Sequence, residues 1–352
     1  MKTIYDVDKN FRPKSSLDKE GLTLHSILQE PFSIHGIFVE NGKFRRLPEA
    51  VAKETSEGVH SLHAHTAGGR VRFRTDSPYV SIMVKMEALG KMPHFAYTGS
   101  IGFDLYYKAE EGQRYAGSFI PPFDITENYE SIIELGSSKL REFTIHFPLY
   151  SEVCELFVGL DKDAVIEAPS PYTISRPVVY YGSSITQGGC ASRPGSCYQN
   201  IISRRLDCDH INLGFSGSAK AEEAMIRHIE ELDMSLFVYD YDHNAPTVEH
   251  LNNTHEKMFR AIRQKHPDLP IIMLSRPRIR LTEEETQRLN IIERTYQNAL
   301  ATGDKNVYFI SGKELMRYCG DEGTVDTCHP TDLGFASMAK VLGDLMETIS
   351  FQ

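Results

Sequence analysis

Tryptophan is absent from the 352 residues, so no part of the chain can stack a ring-shaped ligand on an indole face. Cysteine is sparse as well: six residues are too few for a disulfide scaffold in a chain this long. Neither Cys190 with Cys197 nor Cys319 with Cys328 has the paired short spacings of a zinc site. No apolar run approaches the ~18 residues that a membrane-spanning helix requires. Positive charge is also in deficit, with 38 Lys and Arg against 48 Asp and Glu and a formal net charge of −10. That balance argues against nucleic acid and anionic membrane as partners, because both reward clustered cations. The densest basic cluster, Arg276-Pro-Arg-Ile-Arg280, is followed by Glu283, Glu284 and Glu285. Residues 1–10 contain no apolar core of a secretory leader, so reduced thiols in a cytoplasmic protein are the expectation.

What remains is an ordinary soluble composition, in a chain long enough for two domains. The first part reads as β. Candidate strands at 32–40, 59–65, 70–75, 80–86, 100–108, 113–119, 131–135, 142–147 and 154–160 alternate apolar with polar residues. Gly, Pro, Asn and Asp separate them at the spacing of a sandwich or barrel, with no convincing amphipathic helix between. The pattern predicts an all-β, jelly-roll-like sandwich. From about Thr173 the grammar changes. Short apolar runs at 178–181, 210–213, 236–239, 271–274 and 307–310 alternate with helical segments at 197–206, 222–232, 248–265, 282–302 and 331–349. Strands alternating with helices predict a parallel sheet covered on both faces. The Pro-bearing stretch Ala168-Pro-Ser-Pro171 sets the expected boundary, giving domains of 1–172 and 173–352.

Chemistry-bearing residues gather in the second part. Ser184 follows the strand Val178-Val-Tyr-Tyr181 and its Gly182 turn, and Asn212-Leu-Gly-Phe-Ser-Gly217 follows the next strand. Asp242-His-Asn-Ala-Pro246 follows the third, and Asp326-Thr-Cys-His-Pro330 precedes the last helix. All fall on the crevice side expected of an open α/β sheet. A serine hydroxyl is a weak nucleophile until an adjacent base takes its proton. His329 is a candidate base, and Asp326 can hold its other ring nitrogen. The backbone N–H groups of Ser184 and Gly214 and the side-chain amide of Asn244 are candidate oxyanion donors. Taken singly, each piece has a bland reading: a serine-rich turn, a helix cap before Pro330, a loop asparagine before Pro246.

The ordered set resembles the SGNH (GDSL-type) hydrolases. Gly182-Ser-Ser-Ile-Thr-Gln-Gly188 is similar to their first block with Ser184 as nucleophile, and the stretch at 212–217 to the second with Gly214 as its oxyanion glycine. Asn244 stands where the third block has asparagine, and Asp326 to His329 matches the D-x-x-H of the last. Upstream, Gly102-Phe-Asp-Leu-Tyr106 resembles the G-x-D-L-Y signature of the β-sandwich that precedes one branch of these enzymes. Two positions depart from the pattern: Ser183 replaces an aspartate, and Asp242 stands where glycine is common. The downstream Ile-Thr-x-Gly assigns the nucleophile to Ser184 rather than Ser183.

The resemblance implies a flavodoxin-like, three-layer SGNH domain behind the sandwich, and a serine esterase that needs neither metal nor cofactor. It further implies small acyl, especially acetyl, esters of a carbohydrate as substrates, with a small molecule or oligosaccharide as the partner. Homo-oligomerisation stays open. The same residues would serve an acyltransferase, and a non-catalytic carbohydrate-binding protein is the alternative from another class. His243 and Asp242 read as loop residues, Arg276 as either a clamp or a surface cation, Cys328 as a small filler, and Asp104 with Tyr106 as packing residues of the sandwich.

Overall fold

Strand alternation in the first half produces two antiparallel sheets in the computed structural model, which describes residues 4–351. One sheet runs Leu22–Ser26, Glu152–Asp161, Tyr79–Ala88, Asn128–Glu134. The other runs Ile166–Glu167, Arg70–Thr75, Arg141–His146, Phe103–Ala109, Gly112–Phe119, with Ser33–His35 also paired to Arg70–Thr75. Val80, Ile82 and Val84 from the first face Phe73, Leu105 and Phe143 from the second in one buried cluster. Face-to-face packing of this kind is how a sheet with one apolar side satisfies it.

Two expectations for this half need correction. Residues 59–65 do not form a strand: they fall largely in the helix Glu57–Leu62, which follows the helix Glu49–Thr55. Ser56 separates the two, and its side chain accepts the Val59 N–H as an N-cap. Val59 and Ala52 bury against Phe215, Met225 and Tyr181 of the second half rather than in the sandwich, so tertiary packing chose helix. The predicted run 32–40 is broken at Gly36 into Ser33–His35 and Phe38–Glu40, which join different sheets.

In the second half five parallel strands stand in the order Cys208–Gly214, Ile174–Gly182, Leu236–Asp240, Ile271–Leu274, Val307–Ile310. This is the 2-1-3-4-5 order of flavodoxin-like sheets, with its switch point between the first and third strands in sequence. Helices cover both faces over two separate apolar clusters. Tyr180 and Val238 point to one face while Tyr181 and Tyr239 point to the other, which is why these strands are apolar at nearly every position. At the switch point Gly182 lies opposite both Gly214 and Asp240. The architecture is therefore two-domain, a β-rich N-terminal domain followed by an α/β domain.

The domains are joined by buried polar contacts rather than a flexible tether. Arg70, fully buried, pairs with Asp209 and donates to the His210 carbonyl at 3.0 Å. Asp104 of the G-x-D-L-Y stretch accepts from His146 Nδ1 and from the Gly195 N–H, both at 2.7 Å. That aspartate ties the sandwich to the loop that follows the short helix Ser184–Gln187.

Candidate active site

Ser184 opens the short helix Ser184–Gln187 at the carboxyl end of the strand Ile174–Gly182. Ser183 is its N-cap, extended in backbone and accepting the Ile185 N–H at 3.2 Å through its own hydroxyl. The two neighbouring serines thus have different jobs. Ser183 is fully buried and engaged, whereas Ser184 turns its hydroxyl to His329, with Oγ and Nε2 2.9 Å apart.

The other end of the imidazole is fixed by Asp326, whose Oδ2 lies 2.7 Å from Nδ1. Asp326 Oδ1 accepts the backbone N–H groups of Cys328 at 3.0 Å and His329 at 2.7 Å. One carboxylate thereby shapes its own loop and orients the ring, and the two-residue gap between them makes this geometrically easy. Burial alone would raise the Asp326 pKa, but the His329 and Cys328 N–H groups and the imidazole outweigh it and hold the carboxyl below its ordinary value. Asp326 is exposed and His329 half-buried, so the site opens to solvent.

The oxyanion donors need one correction. The Gly214 N–H is already donated to Asn212 Oδ1 at 2.9 Å, so it is not free for an oxyanion. Glycine is required there for packing: a Cβ would sit 2.1 Å from the Gln187 nitrogen. The donors that remain free lie on either side of it. Ser184 N–H, at the first turn of its helix, has no partner among the described residues. Gly217 N–H is likewise unpaired among the described residues, in a turn whose positive φ of 65° suits glycine. That turn is held beside the nucleophile segment, because the Ser216 N–H donates to Gln187 Oε1 at 3.1 Å. Asn244 belongs to the same cluster, with Nδ2 donating to the Phe215 carbonyl at 3.0 Å and its second N–H left over.

The sandwich also reaches the site, which no sequence spacing announced. Tyr150 Oη donates to the Ser184 carbonyl at 3.1 Å, and Gln187 Nε2 lies 3.1 Å from His65 Nδ1. The His94 ring stands 6.1 Å from that of His329, centroid to centroid. A tyrosine or histidine in a β-domain carries no signal of a contact with another domain. The other singled-out residues are structural. Arg276 pairs with Glu285 at 2.8 Å and donates to Cys328 Sγ at 3.4 Å. Asp242 is buried and accepts the Arg276 N–H at 3.1 Å. His243 is close to it, at 3.7 Å, and burial pushes the imidazole pKa well down.

Beneath Ser184, Asp240 accepts from Thr186 Oγ1 and, at 3.4 Å, from the Ser183 N–H. Burial, reinforced by the nearby Asp242 charge, pushes its pKa from 3.8 up to about 7. Between those two values the folded chain keeps a proton that the unfolded chain releases, so stability declines as pH rises through that window and then levels off. Asp240→Asn is expected to flatten the decline and to be more stable than the parent above about pH 7. Urea midpoints measured across the window test this; parallel pH profiles for the two proteins would refute it.

A parallel sheet with a serine, a histidine and a carboxylate at its switch point defines an acyl-transfer class of hydrolase. Residues 175–347 match the GDSL-like lipase/acylhydrolase family, and residues 22–166 match the GxDLY domain described as the N-terminus of Esterase_SGNH_hydro-type. The chain belongs to the GDSL-like lipase/acylhydrolase family, in its form with this N-terminal domain. It is similar to a Bacteroides ovatus protein described as a GDSL-like lipase, at 28% identity and TM-score 0.83 over 94% of this chain and 99% of that one. A salicylyl-acyltransferase from a tetracycline biosynthetic pathway follows at 20% identity and TM-score 0.75, over 94% and 98% of the two chains. An acetyl xylan esterase of the rumen bacterium Butyrivibrio proteoclasticus shares the fold at 13% identity and TM-score 0.57, over 93% and 98%. No curated protein matches the chain in sequence.

Proposed function

We propose that the protein is a serine esterase that removes small acyl groups, acetyl foremost, from a carbohydrate. The observation that carries this reading is the unbroken run from Ser184 Oγ through His329 to Asp326, at 2.9 and 2.7 Å. Ser184 Oγ attacks the ester carbonyl as His329 Nε2 takes its proton. Asp326 stabilises the imidazolium, and the Ser184 N–H, the Gly217 N–H and the free N–H of Asn244 receive the oxyanion. His329 then protonates the departing alcohol, and water repeats the sequence on the acyl-enzyme. The groups tied to Ser184 and His329, namely Tyr150, His94, Cys190 and Asp326, are polar or small. The layout shared with an acetyl xylan esterase supports a short acyl chain on a sugar.

The test is hydrolysis of 4-nitrophenyl acetate and butyrate, with an acetylated oligosaccharide beside them. Acetate is expected to be the better aryl ester; a butyrate preference would remove the acetyl assignment. Asn244→Ala is expected to lower kcat by about 10²-fold or more with KM little changed, the signature of a donor used in the transition state. Ser183→Ala should retain hydrolysis while losing about 1 kcal/mol of stability with its cap. Activity that vanished in Ser183→Ala and survived in Ser184→Ala would move the nucleophile.

A further inference from the structure

His94, Cys190 and His329 bring two imidazole nitrogens and a thiol sulfur to within 4.8 Å of one another. They arrive from separate places. His94 is exposed in the sandwich loop after the strand Tyr79–Ala88, Cys190 is buried in the loop beyond the nucleophile helix, and His329 follows the Asp326 turn. From this meeting point we propose that the site binds a zinc-type d-block cation through these three side chains, and that the bound ion shuts the active site.

The donor set selects the ion. Two imidazoles and a thiolate suit a borderline-soft, tetrahedral cation such as Zn²⁺, whereas Mg²⁺ and Ca²⁺ demand oxygen ligands. With bonds of ~2.0–2.1 Å to nitrogen and ~2.3 Å to sulfur, tetrahedral ligands stand roughly 3.4–3.7 Å apart. The three donors therefore need to close by about 1 Å, a movement that the exposed His94 side chain can make without disturbing the core. The fourth position faces water. On binding, Cys190 releases its proton to solvent and two imidazole lone pairs and the thiolate occupy the ion.

His329 is pre-arranged for this second role by the same contact that serves the first. Asp326 holds Nδ1 at 2.7 Å, leaving Nε2 as the free lone pair, and a carboxylate behind a ligating histidine raises its basicity and fixes its orientation. Nε2 is also the atom 2.9 Å from Ser184 Oγ. An ion on Nε2 takes the place of the serine proton, so cation and ester compete for one lone pair. The inhibitory half of this proposal rests on His329 being the catalytic base; the binding half does not.

Reduced, chelator-stripped protein titrated with Co²⁺ as a spectroscopic probe tests the site. One equivalent is expected to give a thiolate-to-cobalt absorption band with the visible pattern of a tetrahedral ion, and Zn²⁺ should bleach it. Cys190→Ser should abolish the band, and His94→Ala should weaken cobalt binding at least ~10-fold, the range seen when a metal's supporting groups are lost. In the hydrolytic assay Zn²⁺ should inhibit over the concentrations at which it displaces cobalt, with relief by chelator and an inhibition midpoint shifted upward by His94→Ala. A missing band, or one that persists in Cys190→Ser, overturns the site. Absent hydrolysis with the cobalt band intact instead strikes the esterase reading and leaves the site standing.

Discussion

Ser184→Ala is expected to lower kcat at least ~10⁴-fold, His329→Ala to do the same, and the double variant to be no worse than either. The reasoning lies in the hydrogen-bonded chain. The Ser184 hydroxyl gains nucleophilicity only by passing its proton to Nε2 at 2.9 Å, so removing either member removes the whole step. What survives is the contribution of oxyanion donors and binding, which polarise the ester for direct attack by water. Asp326→Asn should be somewhat milder, about 10³–10⁴-fold, because its oxygen still positions the loop while its amide N–H, now facing Nδ1, moves the ring proton to Nε2 and cannot stabilise an imidazolium. Its exposure, 35% of the side chain, lets water replace part of the lost charge. Steady-state kinetics with 4-nitrophenyl acetate, together with stoichiometric labelling of Ser184 by a serine-reactive phosphonate, check all three. A Ser184→Ala protein within tenfold of the parent would reject the mechanism.

The second large effect concerns stability. Arg46 is buried, yet no carboxylate is paired with it among the described residues. Its guanidinium donates instead to the carbonyls of Leu62, His65, Asn212 and Gly214, at 2.8, 2.6, 3.0 and 2.8 Å, and lies 4.9 Å from the Phe215 ring. Burial pulls its pKa down from the ordinary arginine value, but the fixed fork of donors is what the four carbonyls use. Arg46→Met keeps volume and removes every donor, stripping the His65, Asn212 and Gly214 carbonyls of this partner, while the Leu62 carbonyl keeps the His65 N–H at 3.1 Å. The expected loss is about 3–5 kcal/mol, read as a lower urea midpoint at unchanged slope. A loss under about 1 kcal/mol would mean that water enters and satisfies those carbonyls. Because Asn212 and Gly214 precede the turn that carries the Gly217 donor, activity should fall as well, even where the variant remains folded.

How much of this was readable in advance depends on where the contacts are made. The α/β half was legible nearly to the residue: 248–265, 271–274 and 307–310 coincide with Val248–Lys265, Ile271–Leu274 and Val307–Ile310. Short, fully apolar strands alternating with long amphipathic helices leave little ambiguity. The D-x-x-H spacing was legible for the same local reason, since one carboxylate caps its own turn. Val59 and Leu62 were misread because Leu62 and Ala64 alternate with polar neighbours over a stretch too short to reveal the three-residue spacing of a helix, and the surface that Val59 and Leu62 cover belongs to the other domain. Gly214 was misplaced because a motif names a residue type and not the direction of its N–H; only the fold reveals that Asn212 has already taken it. Arg46, His94 and Tyr150 were invisible, because each acts across the domain junction.

The Tyr150 contact has a consequence for how the protein comes into being. Its hydroxyl touches the carbonyl of Ser184 itself, Arg46 grips the backbone at Asn212 and Gly214, and His65 meets the Gln187 side-chain amide. Amino-terminal domains generally fold first during synthesis, and the sandwich is expected to do the same. The α/β half then emerges onto a surface already prepared to receive its loops. In effect the β-domain is a mould, and the serine gains its shape only when the casting has set against it. An α/β half made alone would leave the Asn212 and Gly214 carbonyls without Arg46, and its defect is expected to show as a disordered Ser184 turn within an otherwise formed parallel sheet.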